Sequence, residues 1–276
     1  MSREPHVPEL VFVKLGGSLI TEKTGRYAVR QDVLARLARE LAGALRQRPG
    51  LRVVVGHGSG SFGHLAAEEV GYDRQRGFPS AEALATVADA AARLNAIVRQ
   101  ALLDAGVPAV SLPVSAAGLG EAGEVLSLAV EPYRRLLAQG GVPLTYGDVL
   151  MALRGATIVS TETIFGYLAQ HLRPQRIILL GEVAGVYTSD PHRAQADSPP
   201  ALIPHISPAT WAEVRAGLAG ARGADVTGGM VAKVGEMVAL VRRLPHLEVL
   251  IASGLEPDLL TRALLGEPVT GTRIGT

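Results

Sequence analysis

The chain has 276 residues, a formal net charge of +1 and no cysteine, and 47% of its residues are hydrophobic. These values are typical of a globular protein with a large core, and they exclude disulfides, cysteine metal sites and a net electrostatic attraction to nucleic acid or anionic membranes. The N-terminal segment has acids and prolines where a signal peptide would be apolar, and no apolar run is long enough to span a membrane, so we expect a cytoplasmic protein.

Apolar runs alternate with helical patterns along the chain, which predicts an α/β fold with a mainly parallel, buried sheet. In the first half we predict strands at Leu10–Leu15, Arg52–Val55 and Val107–Leu112, and helices at Gln31–Arg48, Leu65–Val70 and Ser80–Ala105. The segment 113–123 is predicted to be a loop because it is rich in glycine and alanine.

The second half repeats this alternation within the same domain, 1–276. Predicted strands lie at Thr157–Val159, Arg176–Leu180 and Val249–Ala252, and predicted helices at Thr161–Leu172 and Gly229–Arg243. Residues 189–207 are rich in Pro, Asp and Ala and are predicted to form an exposed excursion. A boundary between two lobes is predicted near Arg154 and Gly155.

The chain contains three lysines, Lys14, Lys23 and Lys233, against 24 arginines, and each lysine lies in or beside a glycine-rich segment. An ammonium group is a compact point charge for phosphate, whereas a guanidinium is a planar fork, so these positions are predicted to require lysine. The alternative is a coding preference for arginine that left three lysines by chance.

Two of the glycine-rich segments have the pattern of phosphate-binding loops. Gly16–Ser18 follow the first predicted strand, and their backbone N–H groups could bind phosphate oxygens, although tight turns use the same residues. Gly228 and Gly229 lie at the start of a predicted helix that carries Lys233 one turn further on. There the lysine could reach a phosphate at the helix start, unless the segment is an ordinary helix cap with a surface lysine.

The segment VVVGHGSGSFGH matches the dinucleotide fingerprint G-x-G-x-x-G at Gly58, Gly60 and Gly63. That fingerprint also needs an acidic residue about 20 positions further on, at the end of a second strand. The only nearby candidate, Glu82, lies in a helical pattern instead. The match therefore does not favour a dehydrogenase.

Two histidines flank the same segment. His64 is predicted to lie at the start of a short helix, where free N–H groups beside its ring would favour an anionic ligand. A histidine that merely contacts solvent at a helix start is the alternative. His57 is predicted to be buried beside the end of the strand.

Together these segments resemble the amino acid kinase family, and within it most closely the isopentenyl phosphate kinases. The resemblance rests on runs that follow the expected order: Lys14–Ser18 with Lys23 nine positions after Lys14, Gly60–His64 (GSFGH), Pro143–Val149 (PLTYGDV), Gly185–Tyr187 followed by Asp190 and Pro191, and Val226–Lys233 (VTGGMVAK). GSFGH is the specific run, because related acetylglutamate, aspartate and uridylate kinases lack its histidine. No G-x-x-x-x-G-K-[ST] occurs, so a P-loop enzyme is not predicted.

The resemblance implies an open three-layer αβα sandwich in which residues 1–154 hold the phosphate acceptor and residues 155–276 hold ATP. It implies ATP-dependent phosphorylation of isopentenyl phosphate to isopentenyl diphosphate by a homodimer, in isoprenoid precursor synthesis. Mg²⁺ would be carried by ATP, with no metal ligand from the protein. Because the acceptor phosphate is already ionised, catalysis would depend on positioning and charge stabilisation.

Residue by residue, the resemblance assigns three kinds of role. Lys14, His64 and Lys233 are the candidate catalytic residues, and Glu162 is the candidate acid that orients the lysines. The candidates for ATP binding are Lys14, Gly16, Gly17, Ser18, Lys23, Ser59, Glu182, Gly185, Tyr187, Gly228, Gly229 and Lys233. The candidates for acceptor binding are Gly58, Gly63, His64, Ser160 and Thr161, with an apolar tail expected near Val70, Ile97 and Val98.

The chain departs from the family pattern in two acidic segments. Residues 160–163 are Ser-Thr-Glu-Thr where the family commonly has Ser-Gly-Asp-Asp, and residues 182–187 are EVAGVY where it has Asp-x-Asp-Gly-Val-Tyr. Two other functions therefore stay open. One is a sister kinase for another small phosphate or phosphonate such as fosfomycin, and the other is a non-catalytic nucleotide- or anion-binding protein of the same fold.

Overall fold

The structure is a computed structural model that describes residues 8–22, 27–189, 200–220 and 229–276. Within these ranges the chain forms one eight-stranded sheet, one four-stranded sheet and nine α-helices. The predicted αβα architecture is confirmed, because helices cover both faces of the large sheet.

The elements of the described chain have the following bounds. The large sheet contains β1 (Leu10–Leu15), β2 (Arg52–His57), β3 (Ala109–Ser111), β6 (Val142–Tyr146), β9 (Arg176–Gly181), β10 (His205–Ile206), β11 (Glu248–Ser253) and β12 (Thr272–Ile274). The small sheet contains β4 (Gly118–Glu121), β5 (Glu124–Leu128), β7 (Asp148–Met151) and β8 (Ala156–Val159). The helices are α1 (Gly17–Ile20), α2 (Gln31–Gln47), α3 (Gly60–Glu69), α4 (Ala81–Asp104), α5 (Glu131–Ala138), α6 (Thr161–Leu172), α7 (Trp211–Gly220), α8 (Met230–Arg243) and α9 (Leu259–Leu265).

The strand order of the large sheet, β10-β12-β11-β9-β1-β2-β6-β3, places a topological switch point at its centre. All pairings from β11 to β3 are parallel, and β12 runs antiparallel to β11. β2 pairs with one edge of β1, and β9 pairs with its other edge. In open α/β sheets ligands bind outside the carboxyl ends of the strands at such a point.

Alternation along β1 assigns its side chains to the two faces of the sheet. Val11, Val13 and Leu15 belong to a buried cluster that includes residues of α2, α4 and α9. Phe12 belongs to a second cluster that includes residues of α5, α6 and α8. Because side chains alternate along a strand, Lys14 must lie on the second face, towards α6.

The elements predicted at Leu10–Leu15 and Thr161–Leu172 occur with those bounds as β1 and α6. The helix predicted at Leu65–Val70 instead begins at Gly60, so the glycines that suggested a turn lie inside α3. The predicted loop 113–123 contains a 3₁₀ turn and β4. This strand forms a hairpin with β5, the next strand along the chain, and also pairs with the more distant β7. The pairing with β7 is not visible in a local pattern of glycines.

Two further expectations concern the second half of the chain. Of the predicted excursion, residues 190–199 lie outside the described residues, and β10 occupies part of its end. The lobe boundary near residues 154 and 155 stays a prediction, and β8, which follows it, pairs with β7, which precedes it. No described helix combines the length and the apolar character that crossing a membrane requires.

The buried carboxylate of Glu40 joins α2 to the start of α9. It accepts hydrogen bonds from the backbone N–H groups of Asp258 and Leu260, each at 3.1 Å, and from Arg36 at 2.6 Å. Arg36 also donates to the carbonyl of Gly254 at 2.5 Å. The network therefore fixes the loop that follows β11 at the carboxyl edge of the sheet.

We expect Glu40→Ala to lower the free energy of unfolding by about 3 kcal/mol, because it leaves two backbone donors without their acceptor and removes the carboxylate partner of Arg36. Glu40→Gln, which keeps one acceptor oxygen, should lose less. Chemical denaturation followed by circular dichroism measures both changes. The matched control is Asp89→Ala, which removes an exposed ion pair with Arg93 and should change stability little. Equal effects of Glu40→Ala and Asp89→Ala would contradict a structural role for the network.

Candidate active site

Four backbone segments meet at the carboxyl edge of the large sheet, one after each of β1, β2, β9 and β11. The N–H of Gly16 donates to Leu180 at 2.8 Å, and the N–H of Gly58 donates to Leu15 at 3.0 Å. The N–H of Gly254 donates to Gly181 at 2.8 Å. These bonds fix the segments that follow the strands at the switch point.

The two glycine loops after β1 and β2 touch each other backbone to backbone. A Cβ atom on Gly17 would lie 2.4 Å from the nitrogen of Gly60, and one on Gly58 would lie 2.8 Å from the nitrogen of Gly17. Gly60 also has a positive φ of 50°. Larger residues would push the loops apart, so glycine is required here by close approach.

Gly16 and Gly58 were predicted to offer backbone donors to phosphate, and for these two the structure shows otherwise. Their N–H groups already donate to Leu180 and Leu15 within the protein. A Cβ atom on Gly16 would lie 2.6 Å from the carbonyl oxygen of Leu180. Both glycines therefore serve the close contact between strands and loops.

A cluster of three charged side chains lies beside these loops. The ammonium of Lys14 on β1 is 2.5 Å from Oε1 of Glu162 on α6, and the ammonium of Lys233 on α8 is 3.6 Å from the same oxygen. Lys14 and Glu162 are buried, whereas the side chain of Lys233 is 32% exposed. Glu162 therefore lies between the two lysines, as an orienting acid would.

The electrostatics of the cluster follow from burial and proximity. Burial lowers the pKa of the Lys14 ammonium below its ordinary value, against the opposing effect of Glu162. Burial opposes ionisation of Glu162 as well, but Lys14 and Lys233 together hold the pKa of this carboxyl below its ordinary value. The Glu236 carboxyl is also close enough to raise the pKa of Lys14, while burial and Glu162 raise the pKa of Glu236 itself above its ordinary value. Two ammonium groups held in one place suit a phosphoryl group.

The predicted acceptor residues on α3 differ from expectation in one respect. His64 is exposed and is the fifth residue of α3, so the free N–H groups of the first turn lie nearly one turn before it. Its side chain nevertheless leans towards that turn, because Cα–Cβ bonds tilt towards a helix N-terminus. Gly63 is buried, and a Cβ atom there would lie 2.2 Å from the hydroxyl of Ser59.

The other two acceptor candidates lie at the start of α6. Ser160 is exposed and caps this helix, since its hydroxyl accepts a hydrogen bond from the N–H of Thr163 at 3.0 Å. Thr161 is buried, and its hydroxyl donates to the carbonyl of His57 at 2.6 Å. The structure therefore uses the Thr161 side chain to join α6 to β2, and the contact of Thr161 with the acceptor stays a prediction.

The candidates on the nucleotide side lie mainly around the carboxyl ends of β1 and β9. Ser18 is exposed on α1. The carboxylate of Glu182 accepts a hydrogen bond from Arg30 at 3.1 Å. Gly185 is buried against Thr272, where a Cβ atom would lie 2.5 Å from the threonine hydroxyl, and Tyr187 forms a β-bridge with Leu202.

The remaining nucleotide candidates fall at or beyond the limits of the described chain. Gly229 is exposed and precedes α8. Lys23 and Gly228 lie outside the described residues, as do Asp190, Pro191 and residues 226–227. Among the described residues, no group of three or more His, Cys, Asp or Glu side chains is placed to hold a metal ion.

The residues predicted to line an apolar tail pocket do not lie together. Val70 packs against a small cluster that includes Ala66, Val87, Ala90 and Val149. Val98 and Ile97 belong to the separate cluster around α2 and α4. The helical pattern alone could not assign these faces, because α4 contacts α2 on one side and α3 on the other.

His57 is the residue of this region to which sequence reasoning gave no role. It is fully buried, as predicted, and its ring stacks on Tyr146 with a centroid separation of 5.5 Å. The ring also lies within hydrogen-bond distance of Asn95, on α4. Its position directly before Gly58 was the only signal in the sequence.

Comparisons with known proteins agree with this architecture. The profile of the amino acid kinase family matches residues 9–253. The isopentenyl phosphate kinase of Methanothermobacter thermautotrophicus is 35% identical over 96% of this chain and 98% of its own, and that of Haloferax volcanii is 38% identical over 84% and 88%. A solved isopentenyl phosphate kinase structure is 30% identical, with a TM-score of 0.80 over 96% of this chain and 100% of its own. The chain belongs to the amino acid kinase family.

We expect Glu162→Gln to shift the pH dependence of activity. Without the carboxylate, burial and Lys233 would lower the pKa of Lys14 further, opposed by the smaller effect of Glu236, so the ammonium would deprotonate at lower pH. The alkaline limb of kcat/KM should therefore move down by about 1 pH unit or more. Steady-state rates between pH 6 and 10 measure the shift.

Glu162→Asp is the matched variant, because it keeps the charge and restores the acid that the family commonly has. Its alkaline limb should stay near that of the unchanged protein. Glu131→Gln, on the exposed start of α5, should alter neither limb. An unshifted limb in Glu162→Gln would mean that the carboxylate does not control the protonation of Lys14.

Proposed function

We propose that this protein is a kinase that transfers the γ-phosphoryl group of ATP to isopentenyl phosphate and releases ADP and isopentenyl diphosphate. The observation that carries the proposal is the cluster of Lys14, Glu162 and Lys233 beside two facing glycine loops at the switch point of the sheet. The family membership and the full-length similarity to isopentenyl phosphate kinases support it.

The proposed chemistry needs charge neutralisation more than proton transfer. Donor and acceptor are both anions, and an oxygen of the ionised acceptor phosphate attacks the γ-phosphorus as its bond to the ADP oxygen breaks. Lys14 and Lys233 would stabilise the negative charge on the transferred group, while Glu162 keeps both ammonium groups in place. Because β1, α6 and α8 hold these side chains in advance, little reorganisation is needed during transfer.

We place ATP at the crevice formed by the ends of β1 and β9, near Gly17, Ser18, Glu182 and the start of α8. Ser59, Gly185, Tyr187 and Gly229 remain candidates for the same ligand. Mg²⁺ bound to the ATP phosphates would neutralise part of their charge. Glu162 already contacts two lysines, which favours a metal held by the nucleotide over one held by this carboxylate.

We place the acceptor phosphate at the loop after β2 and the first turns of α3, within reach of His64. The apolar tail would then lie towards the small cluster of Ala66, Val87, Ala90 and Val149, which packs between α3, α4 and β7. Its buried members are alanine and valine, and Phe78 and Leu84 pack against them. It therefore has the apolar character that a short isoprenoid chain requires.

We also propose a cytoplasmic homodimer. β3 lies at one end of the described large sheet, and Val110 on this strand and Leu103 on α4 are both exposed. An unpaired strand edge with apolar side chains beside it is a surface on which a second copy could pack. The cytoplasm is where ATP is available as the donor.

The first test is an ADP-release assay with isopentenyl phosphate, dimethylallyl phosphate and fosfomycin under the same conditions. We expect turnover with isopentenyl phosphate, and ³¹P NMR should detect a diphosphate product. Turnover of fosfomycin alone would instead favour the sister kinase. Turnover of no acceptor would favour a non-catalytic member of the fold.

We expect His64→Ala to lower kcat/KM for isopentenyl phosphate by roughly 10²-fold, since it removes a charge-assisted hydrogen bond to the acceptor phosphate. His64→Gln, which keeps a donor of similar reach, should recover part of the loss. Calorimetric affinity for an ATP analogue should stay within about threefold in both variants.

The matched control for this prediction is His246→Ala. His246 is also an exposed histidine, but it precedes β11 and so lies at the opposite edge of the sheet. It should leave all constants unchanged. A loss of nucleotide affinity with acceptor affinity intact would mean that the two ligands have been assigned to the wrong sides of the crevice.

A further inference from the structure

His57 lies at the end of β2, directly before the acceptor loop. It is within hydrogen-bond distance of groups from α6, from the turn between β6 and β7, from the loop after β2 and from α4. Its carbonyl accepts hydrogen bonds from the hydroxyl of Thr161 at 2.6 Å and from the N–H of Gly147 at 3.0 Å. Its ring lies on the side of the strand that faces α4, where Nδ1 is 3.0 Å from the carbonyl oxygen of Gly58 and Nε2 is 3.3 Å from Oδ1 of Asn95. Nδ2 of Asn95 in turn is 2.8 Å from the hydroxyl of Ser111 on β3.

The protonation state of the ring follows from its surroundings. His57 is fully buried, and burial lowers its pKa to about 4, with the nearby Lys14 ammonium adding to the effect. The imidazole is therefore neutral at physiological pH, with a proton on only one of its two nitrogens.

The hydrogen-bond partners select which nitrogen holds that proton. The carbonyl oxygen of Gly58 can only accept, so Nδ1 must carry the hydrogen. Nε2 is then an acceptor, so we assign the Asn95 amide with its oxygen and nitrogen exchanged relative to the positions in the structure, where Oδ1 lies beside Nε2 and Nδ2 beside Ser111. The two ends of an amide have nearly the same shape, so the exchange moves no other group. The NH₂ group then donates to Nε2, and the amide oxygen accepts from the Ser111 hydroxyl.

The hydrogen bond to Gly58 orients the peptide that joins Gly58 to Ser59. The C=O and N–H of a trans peptide point in opposite directions. With its carbonyl held by the imidazole, this peptide must direct the N–H of Ser59 away from the buried ring. Gly58 also packs against Gly17, so a rotation of the peptide would disturb the contact between the two glycine loops.

We propose that His57 is a positioning residue of the acceptor site. Its neutral imidazole, protonated on Nδ1, holds the Gly58 carbonyl and accepts a hydrogen bond from Asn95, and so sets the orientation of the loop that receives the acceptor phosphate. The inference rests on the proposed kinase function for its effect on rate. Its structural content, the tautomer and the network, can be measured without turnover.

The enzymatic test uses variants that remove one part of the network at a time. His57→Leu fills the space without hydrogen bonds and should raise KM for isopentenyl phosphate roughly tenfold, with kcat and the KM for ATP within about threefold. His57→Asn places an amide donor near the position of Nδ1 and should recover most of the loss. Recovery by His57→Asn would not occur if the ring only filled volume.

Asn95→Asp tests the tautomer with almost no change in shape. A carboxylate cannot donate to Nε2, so at a pH at which the ring is neutral His57 should move its proton to Nε2 and release the Gly58 carbonyl, and KM for isopentenyl phosphate should rise as in His57→Leu. ¹⁵N chemical shifts of the His57 ring report the tautomer directly. We expect Nδ1–H in the unchanged protein between pH 6 and 8 and Nε2–H in Asn95→Asp.

Tyr133→Phe is the control for loss of a buried hydrogen bond elsewhere, because the Tyr133 hydroxyl donates to Leu112 at 3.2 Å, outside this network. It should leave both KM values and the His57 tautomer unchanged. An Nε2–H tautomer in the unchanged protein, or an unaltered acceptor KM in His57→Leu, would overturn the inference. Absence of turnover in the unchanged protein would overturn the proposed function instead, while the NMR measurement would still test the network.

Discussion

Lys14 and Glu162 bury opposite charges against each other between β1 and α6, and the rest of the site is arranged around that pair. Burying either charge alone would cost several kcal/mol, so neither residue is stable there without the other. β1 is bordered by parallel strands on both sides, and α6 packs across β1 and β2. The pair is therefore held by rigid elements, and Lys233 completes it from α8.

The second constraint is the contact between the two glycine loops. Because the backbones of Gly17, Gly58 and Gly60 touch, the ends of β1 and β2 approach more closely than side chains would permit. This approach brings the acceptor loop next to the charged pair. The polar network of His57, Asn95 and Ser111 holds the same loop through the carbonyl of Gly58. The position of the loop therefore depends on α4 and β3 as well as on the sequence of the loop.

The site residues fall into two groups. Some are placed by interactions within a few residues of the chain, and others are placed by contacts between distant segments. Lys14 could be predicted because strand alternation and a following glycine pair are local features. The role of Thr161 could not, because its hydroxyl bonds a carbonyl more than a hundred residues away in the chain. His64 was placed at a helix start because glycines usually mark turns, yet Gly60 and Gly63 both lie inside α3. Here tertiary packing overrode a local preference.

The alternation of apolar and helical segments determined the α/β class, the bounds of β1 and α6, and the association of the lysines with glycine loops. These features depend on side-chain periodicity and on turn chemistry, which act over a few residues. Only the tertiary structure decided that Glu162 would contact both Lys14 and Lys233, that the N–H groups of Gly16 and Gly58 would be used inside the protein, and that β4 would pair with β7. Each of these outcomes is a pairing between segments far apart in the chain, and a local pattern cannot contain the identity of a distant partner.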